Sequence, residues 1–303
     1  MIVVAGEALI DLVPASASGS EPDALLPRRG GGPYNTAIAL GRLGSSVGFC
    51  SRVSSDRFGT ELLGELSADG VDTALVQRGP EPTTLAVAEI GADGSAGYRF
   101  YVEGTADRLF ELPDALPDGV RALSLGTCSL VLEPGASAYE ALLRRESARG
   151  VFTTLDPNIR ADLIPDPEAY RARFRNWLPY VSLLKLSVED AAWLGGEPRD
   201  WPAAGPGAVV LTRGGDGLTV LTRAGEWSVP AERVDVVDTI GAGDTVNAAL
   251  LHRLDRHGAL SPDALAALSP EAWRDILSYA ARAAAVTCSR PGAQPPYPAE
   301  LPS

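Results

Sequence analysis

The sequence predicts an α/β protein: a three-layer αβα sandwich around a mostly parallel sheet, with a small β-sheet lid attached. Three observations lead there. Short apolar runs alternate with amphipathic helical stretches along most of the 303 residues, the pattern of strands buried on both faces by crossover helices. Residues 84–103 break the rhythm, with two β-rich runs and no helix between them. The apolar share of 45% suits one large domain with a small appendage.

In chain order, residues 2–13 (IVVAGEALIDLV) read as a buried first strand, and residues 14–30, rich in Pro, Ser and Gly, as an irregular segment beside it. Asn35 to Leu43 reads as a helix after a glycine cluster. Strand-like and helix-like segments then continue through Val47–Ser51, Thr60–Ala68, Ala122–Leu125, Ser137–Arg149, Thr153–Asp156, Leu183–Leu186 and Ala208–Thr212. Thr245–Arg256 and Trp273–Thr287 are helical in period. The 84–103 stretch is a β-hairpin around the turn signal Ala92-Asp93-Gly94-Ser95, and with residues 14–30 it forms the lid. Pro291 to Pro302 reads as an extended surface strap. The whole chain, 1–303, is one domain.

Composition excludes several functions. With 26 basic against 39 acidic residues and a net charge of -13, the surface repels phosphate backbones, so neither nucleic acid nor an anionic membrane is an expected partner. No run approaches the ~20 apolar residues of a membrane helix. No basic leader precedes Ile2-Val3-Val4, so secretion is not expected. Cys50, Cys128 and Cys288 are scattered and lack metal-site spacing, which points to reduced thiols in the cytoplasm. His252 and His257, the only histidines, give little material for a triad or a zinc site and read as solvated residues near a helix end. The single lysine, Lys185, follows no Walker A loop, and no G-x-G-x-x-G occurs.

The sharpest motif is Asp238-Thr239-Ile240-Gly241-Ala242-Gly243-Asp244, which runs straight into a helical stretch. Small residues ahead of a helix let its open N–H groups face an anion, and the helix dipole adds positive potential there. A carboxylate at the same place can take a proton from an attacking hydroxyl. On the residues alone, Asp244 reads equally well as a helix cap. A second motif, Gly30-Gly31-Gly32-Pro33-Tyr34-Asn35, allows close backbone approach to a ligand, with Asn35 offering donors and acceptors to hydroxyls. It also describes a tight turn capped by Asn35. Asp11 lies toward the end of the first strand, where ligands of open α/β sheets collect.

Taken together and in this order, DTIGAGD and GGGPYNTAIALGRLG resemble the two signatures of the ribokinase-like carbohydrate kinases. The chain is closest in pattern to their fructokinase and 2-keto-3-deoxygluconate kinase branches. The resemblance implies ATP-dependent phosphorylation of a sugar primary hydroxyl, with Asp244 as the base and the backbone of Gly241, Ala242 and Gly243 as the anion hole. It implies that Gly31, Gly32, Asn35 and Asp11 meet the sugar. Thr212-Arg213-Gly214-Gly215-Asp216-Gly217 is similar to the family's nucleotide-side turn, which gives Thr212, Gly214 and Gly217 to ATP, though the same pattern describes a hairpin turn. The stretch from Ala283 to Ala293 resembles the loop beside adenine, with Ser289 and Gly292 in it. In relatives this loop, with Asp238 and the Ile240 carbonyl, also flanks a monovalent cation, here potassium.

Where the family commonly carries N-x-x-E, this chain has Ser187-Val188-Glu189-Asp190 beside Lys185, as fructokinase-type members do. Ser187 with Asp190 or Glu189 is the expected holder of hydrated Mg²⁺. Two segments, Gly104-Thr105-Ala106-Asp107-Arg108 and Asp156-Pro157-Asn158-Ile159-Arg160, resemble the same branches and offer Arg108 and Arg160 to a phosphate or a substrate carboxylate. Singly, each arginine reads as well as a structural residue. Fructose is the first expected substrate, ahead of 2-keto-3-deoxygluconate and nucleosides. A silent sugar sensor on the same scaffold is the non-enzymatic alternative. The open edges of a β lid are where a second copy would pair into a homodimer.

Overall fold

A computed structural model of the chain describes residues 1–14, 24–90 and 96–301. Its strands are β1 (Ile2–Ala5), β2 (Leu9–Pro14), β3 (Leu25–Gly30), β4 (Val47–Ser54), β5 (Val76–Gly79), β6 (Leu85–Ile90), β7 (Ala96–Tyr101), β8 (Ala122–Gly126), β9 (Phe152–Asp156), β10 (Leu183–Ser187), β11 (Ala208–Thr212), β12 (Leu218–Thr222) and β13 (Glu226–Val229). The helices are α1 (Gly32–Arg42), α2 (Arg57–Ala68), α3 (Gly135–Ala148), α4 (Pro167–Trp177), α5 (Val188–Leu194), α6 (Trp201–Ala204), α7 (Ala242–Arg256), α8 (Pro262–Ala266) and α9 (Pro270–Cys288).

The large sheet runs β13-β12-β11-β10-β9-β8-β1-β4-β5 and is parallel from β11 to β5, while β12 and β13 join antiparallel at one edge. Its strands are apolar on both faces because both are covered. Ile2, Val4, Phe49, Phe152 and Val210 point to the side of α1, α7 and α9, whereas Val3, Ala5, Leu123, Leu155 and Val209 point to the side of α3 and α4. The period of two thus divides one apolar run between two cores. All parallel strands end at the same edge, and the candidate residues gather there.

The lid is a separate sheet of order β3-β2-β6-β7. The expected hairpin is present as β6 and β7, with Leu85 opposite Tyr101; its turn at 92–95 lies outside the described residues. Two expectations are corrected. Residues 2–13 are two strands in different sheets, because the chain breaks at Gly6, whose φ is 148°, and a Cβ there would lie 2.6 Å from Ser129 Oγ. The irregular segment 14–30 contains β3, paired antiparallel with β2 so that Asp11 faces Arg28; residues 15–23 lie outside the described part.

The C-terminal strap is as expected over Pro291–Leu301, apart from one tight turn at Pro298–Glu300. Arg42 holds it by bonds of 3.2 Å to Gln294 Oε1 and to the Pro295 carbonyl. The histidines are not simply solvated. His252 Nδ1 meets Ser45 Oγ at 2.9 Å and its ring stacks on Tyr279, while His257 Nε2 meets Asp275 at 2.7 Å.

Candidate active site

The centre of the site is the start of α7. Gly241 is the N-cap with φ 75°, a left-handed conformation that glycine adopts without strain, and a Cβ there would lie 2.5 Å from the Ala293 Cβ. The first-turn N–H groups of a helix have no intrahelical partners, and Gly241, Ala242 and Gly243 place nothing larger than a methyl beside them. Asp244, in that first turn, is 7% exposed. Its Oδ2 accepts a hydrogen bond of 2.8 Å from Asn35 Nδ2, which α1 carries from the glycine-rich loop. The two motifs, 209 residues apart, therefore meet at one carboxylate.

Burial pushes the Asp244 carboxyl up to about 7, with Asp156 adding to the rise and Asn35, Lys185 and Arg160 opposing it. An acid with that pKa is half-ionised near neutrality, the working range of a general base. Asn35 donates to Asp244 and does not cap α1, whose N-cap is Gly31 without a side-chain bond.

On one side of Asp244 lies a cavity of about 240 Å³ walled by Glu7, Asp11, Gly31, Gly32, Asn35, Asn158, Arg160 and the lid residues Tyr98 and Phe100. Asp11, on β2, is raised to about 6 by burial, against the pull of Arg160. Gly31 has φ 112°, and a Cβ on it would lie 2.7 Å from the Glu7 carbonyl. A Cβ on Gly32 would lie 2.5 Å from Thr127 Cγ2 and 3.3 Å from Asp244 Oδ1. This loop is glycine because the backbone itself is the wall.

On the other side lies a cavity of about 270 Å³, lined by Thr212, Gly214, Gly217, Val234, Val236, Ala281, Ala284, Ala285 and Cys288. Gly243 borders both cavities. Thr212 to Gly217 joins β11 to the antiparallel β12, so the hairpin-turn reading and the pocket-wall reading both hold. Asp238 accepts from the N–H of Ile240 at 3.0 Å and from that of Gly292 at 2.8 Å, which joins the loop before α7 to the one after α9.

Several expected residues sit elsewhere. Arg108 lies behind the lid root, donating to the Glu133 carbonyl at 2.6 Å and to Glu103 at 2.7 Å, and does not wall the cavity as Arg160 does. Ser289 is spent on the end of α9, donating to the Val286 carbonyl at 2.8 Å, while its neighbour Cys288 lines the apolar cavity. Ser187 and Asp190 form a reciprocal cap on α5, and the other oxygen of Asp190 accepts from the Ile159 N–H at 2.9 Å. One backbone amide thus bonds each Asp190 oxygen, and its neighbour Glu189 is exposed. Lys185 lies beneath the loop in a 2.8 Å pair with Asp156 and lines neither cavity.

Two site residues escaped the sequence reading. Glu7, 2% exposed, accepts from Thr127 Oγ1, from the N–H and hydroxyl of Ser129 and from the Gly32 N–H, tying β1, β8 and the glycine-rich loop together. An acid inside an apolar run was its signal. Asn158, with φ 38°, takes a left-handed conformation that asparagine tolerates and walls the polar cavity.

A parallel sheet with a β lid and a Gly-Ala-Gly-Asp helix terminus is the architecture of ribokinase-fold sugar kinases, and known proteins match it throughout. The profile of the "pfkB family carbohydrate kinase" matches residues 1–300. The fructokinase of Rhizobium leguminosarum bv. trifolii is 39% identical over 284 residues, 91% of this chain and 86% of its own. The crystal structure of Xylella fastidiosa fructokinase with bound ATP superposes with a TM-score of 0.87 at 27% identity, over 99% of this chain and 96% of that one. A fructokinase double mutant of Vibrio cholerae O395, in fructose-, ADP- and potassium-bound form, gives 0.84 at 25% identity over 99% and 96%. The chain belongs to the pfkB family of carbohydrate kinases.

Proposed function

We propose that the protein transfers the γ-phosphoryl group of ATP to a primary hydroxyl of fructose. The carrying observation is Asp244, a buried carboxyl with a pKa near neutrality, set where the two cavities meet at Gly243. The relatives named above are fructokinases, which supports fructose as the acceptor.

In this reading the sugar lies in the polar cavity with its hydroxyls on Asp11, Asn35 and the Gly31–Gly32 backbone. Asp244 takes the proton of the attacking hydroxyl, and the N–H groups of the Gly241–Gly243 turn hold the charge on the transferred group. ATP enters from the apolar side, its base among Ala281, Ala284 and Cys288 and its phosphates toward Gly243. Tyr98 and Phe100 of the lid keep water from the phosphate. A neutral sugar is preferred over a sugar acid because, among the described residues, Arg160 is the one arginine that walls the cavity, and its Nη1 is held by Asn158 at 2.7 Å.

Among the described residues no cluster of three or more His, Cys, Asp or Glu is placed to hold a metal. Mg²⁺ would be held through water by Ser187 with Asp190 or Glu189 and would neutralise phosphate charge. A potassium ion would be held at the loops that Asp238 joins, with Asp238 and the Ile240 carbonyl as its contacts. The lid sheet has β3 and β7 as its two open edges, and a second copy would pair along one of them.

The test is phosphoryl transfer from ATP over a panel of fructose, 2-keto-3-deoxygluconate, other ketoses and nucleosides. Fructose is expected to give the highest kcat/KM. A tenfold preference for the acid, about 1.4 kcal/mol, that Arg160→Ala removes would replace fructose with the sugar acid. Transfer to none of the panel would leave a sugar-binding protein.

A further inference from the structure

Of the 26 lysine and arginine residues, Lys185 is the single lysine, and it is among the most buried polar side chains at 4% exposed. It rises from β10 to donate 2.8 Å to Asp156 Oδ2 on β9. A Cβ added to Gly243 would lie 3.0 Å from its Nζ, so the ammonium sits directly under the loop that separates the two cavities. The other oxygen of Asp156, Oδ1, has no hydrogen-bond partner, and Asp156 lines a cavity of about 10 Å³ together with Asp244 and Asn247. A compact ammonium fits this place where the planar fork of arginine would not.

We propose that Lys185 is the positioning residue of the transfer loop: Asp156 pins its ammonium under Gly243, where it supports the loop backbone and sets the field around Asp244. This rests on the reading of Asp244 as the base. The groups facing Asp244 are Asn35 from α1, Asp156 from β9, Arg160 from the loop after it and Lys185 from β10, with Glu7 and Asp11 across the polar cavity. Burial and Asp156 favour the protonated acid, whereas Asn35, Lys185 and Arg160 favour the carboxylate. The two members of the buried pair therefore act on Asp244 with opposite signs.

The experiment uses the full chain. Carboxyl titration by NMR on [13C]aspartate-labelled protein, with the Asp244 signal assigned by its loss in Asp244→Asn, reads the pKa whether or not the enzyme phosphorylates fructose. Failure of the kinase reading is thus kept apart from failure of this one. Lys185→Met should move the Asp244 titration upward and Asp156→Asn should move it downward. A merely structural pair would move both the same way or neither, and that result overturns the proposal.

Either single variant leaves one buried charge unpaired and can fail to fold, so Lys185→Met/Asp156→Asn is made as well. The double variant should fold yet transfer phosphate on the order of 10²-fold more slowly, as expected for a loop set out of place, with the KM for sugar little changed. Recovery of wild-type kcat in the folded double variant would also overturn the proposal.

Discussion

The two cavities that meet at Gly243 are built from opposite chemistry. The one under the lid is walled by carboxylates, amides and a guanidinium, several of them held by hydrogen bonds: Asn35 by Asp244 and Glu7 by Thr127 and Ser129 from distant elements, Arg160 by Asn158 within its own loop. The one beside α9 is walled mostly by alanines, glycines and valines, with Thr212, Thr239 and Glu232 among them. Directional hydrogen bonds discriminate steeply between ligands, because a missing partner leaves a buried polar group unsatisfied, whereas small apolar walls select by shape. On the proposed reading, selectivity for the acceptor resides under the lid, and the opposite wall serves to bind and align.

The largest effect is expected where the cavities touch. Gly243→Val places a branched side chain against Lys185 and between donor and acceptor, and should lower kcat by on the order of 10³-fold; full activity in the folded variant would make the loop an ordinary turn. Next, Asp11→Ala removes one polar wall and should lower kcat/KM for fructose roughly 10- to 100-fold, leaving the affinity for ATP alone, as calorimetry would read. On the apolar side, Ala284→Leu should raise the KM for ATP about tenfold, or 1.4 kcal/mol, with fructose binding unaffected. A loss of sugar discrimination there would erase the contrast between the two sides. The smallest effect is Arg108→Ala: its partner Glu103 is 89% exposed, so stability should fall by less than about 1 kcal/mol with kcat/KM unchanged.

The central sheet was legible because doubly buried strands are continuous apolar runs, and the helices because their period is 3.6. The two motifs at Asn35 and Asp244 were legible because small residues before a helix have few other uses. The break at Gly6 was not: the run stays apolar as it passes from one sheet to the other, so periodicity gives no mark there. Arg108 and Arg160 look alike in sequence, and the path of the chain alone turns one toward the cavity and the other toward Glu133. The Lys185–Asp156 pair was hidden for the same reason, since its members come from neighbouring strands 29 residues apart. Ser187 and Asp190 show a limit of another kind, since a helix cap and a metal ligand use the same side chains and the sequence does not separate the two.

The central claim, that Asp244 is the base, is tested most directly by the turnover of Asp244→Asn across pH. In the wild type, the raised pKa means that the carboxylate form is lost as pH falls through about 7, so kcat/KM should drop below that pH and level off above it. Asparagine cannot take the hydroxyl proton, so the variant should lose 10²- to 10⁴-fold in kcat, bind fructose and ATP nearly as before, and show no such pH limb. A folded Asp244→Asn protein with turnover near that of the wild type would contradict the account.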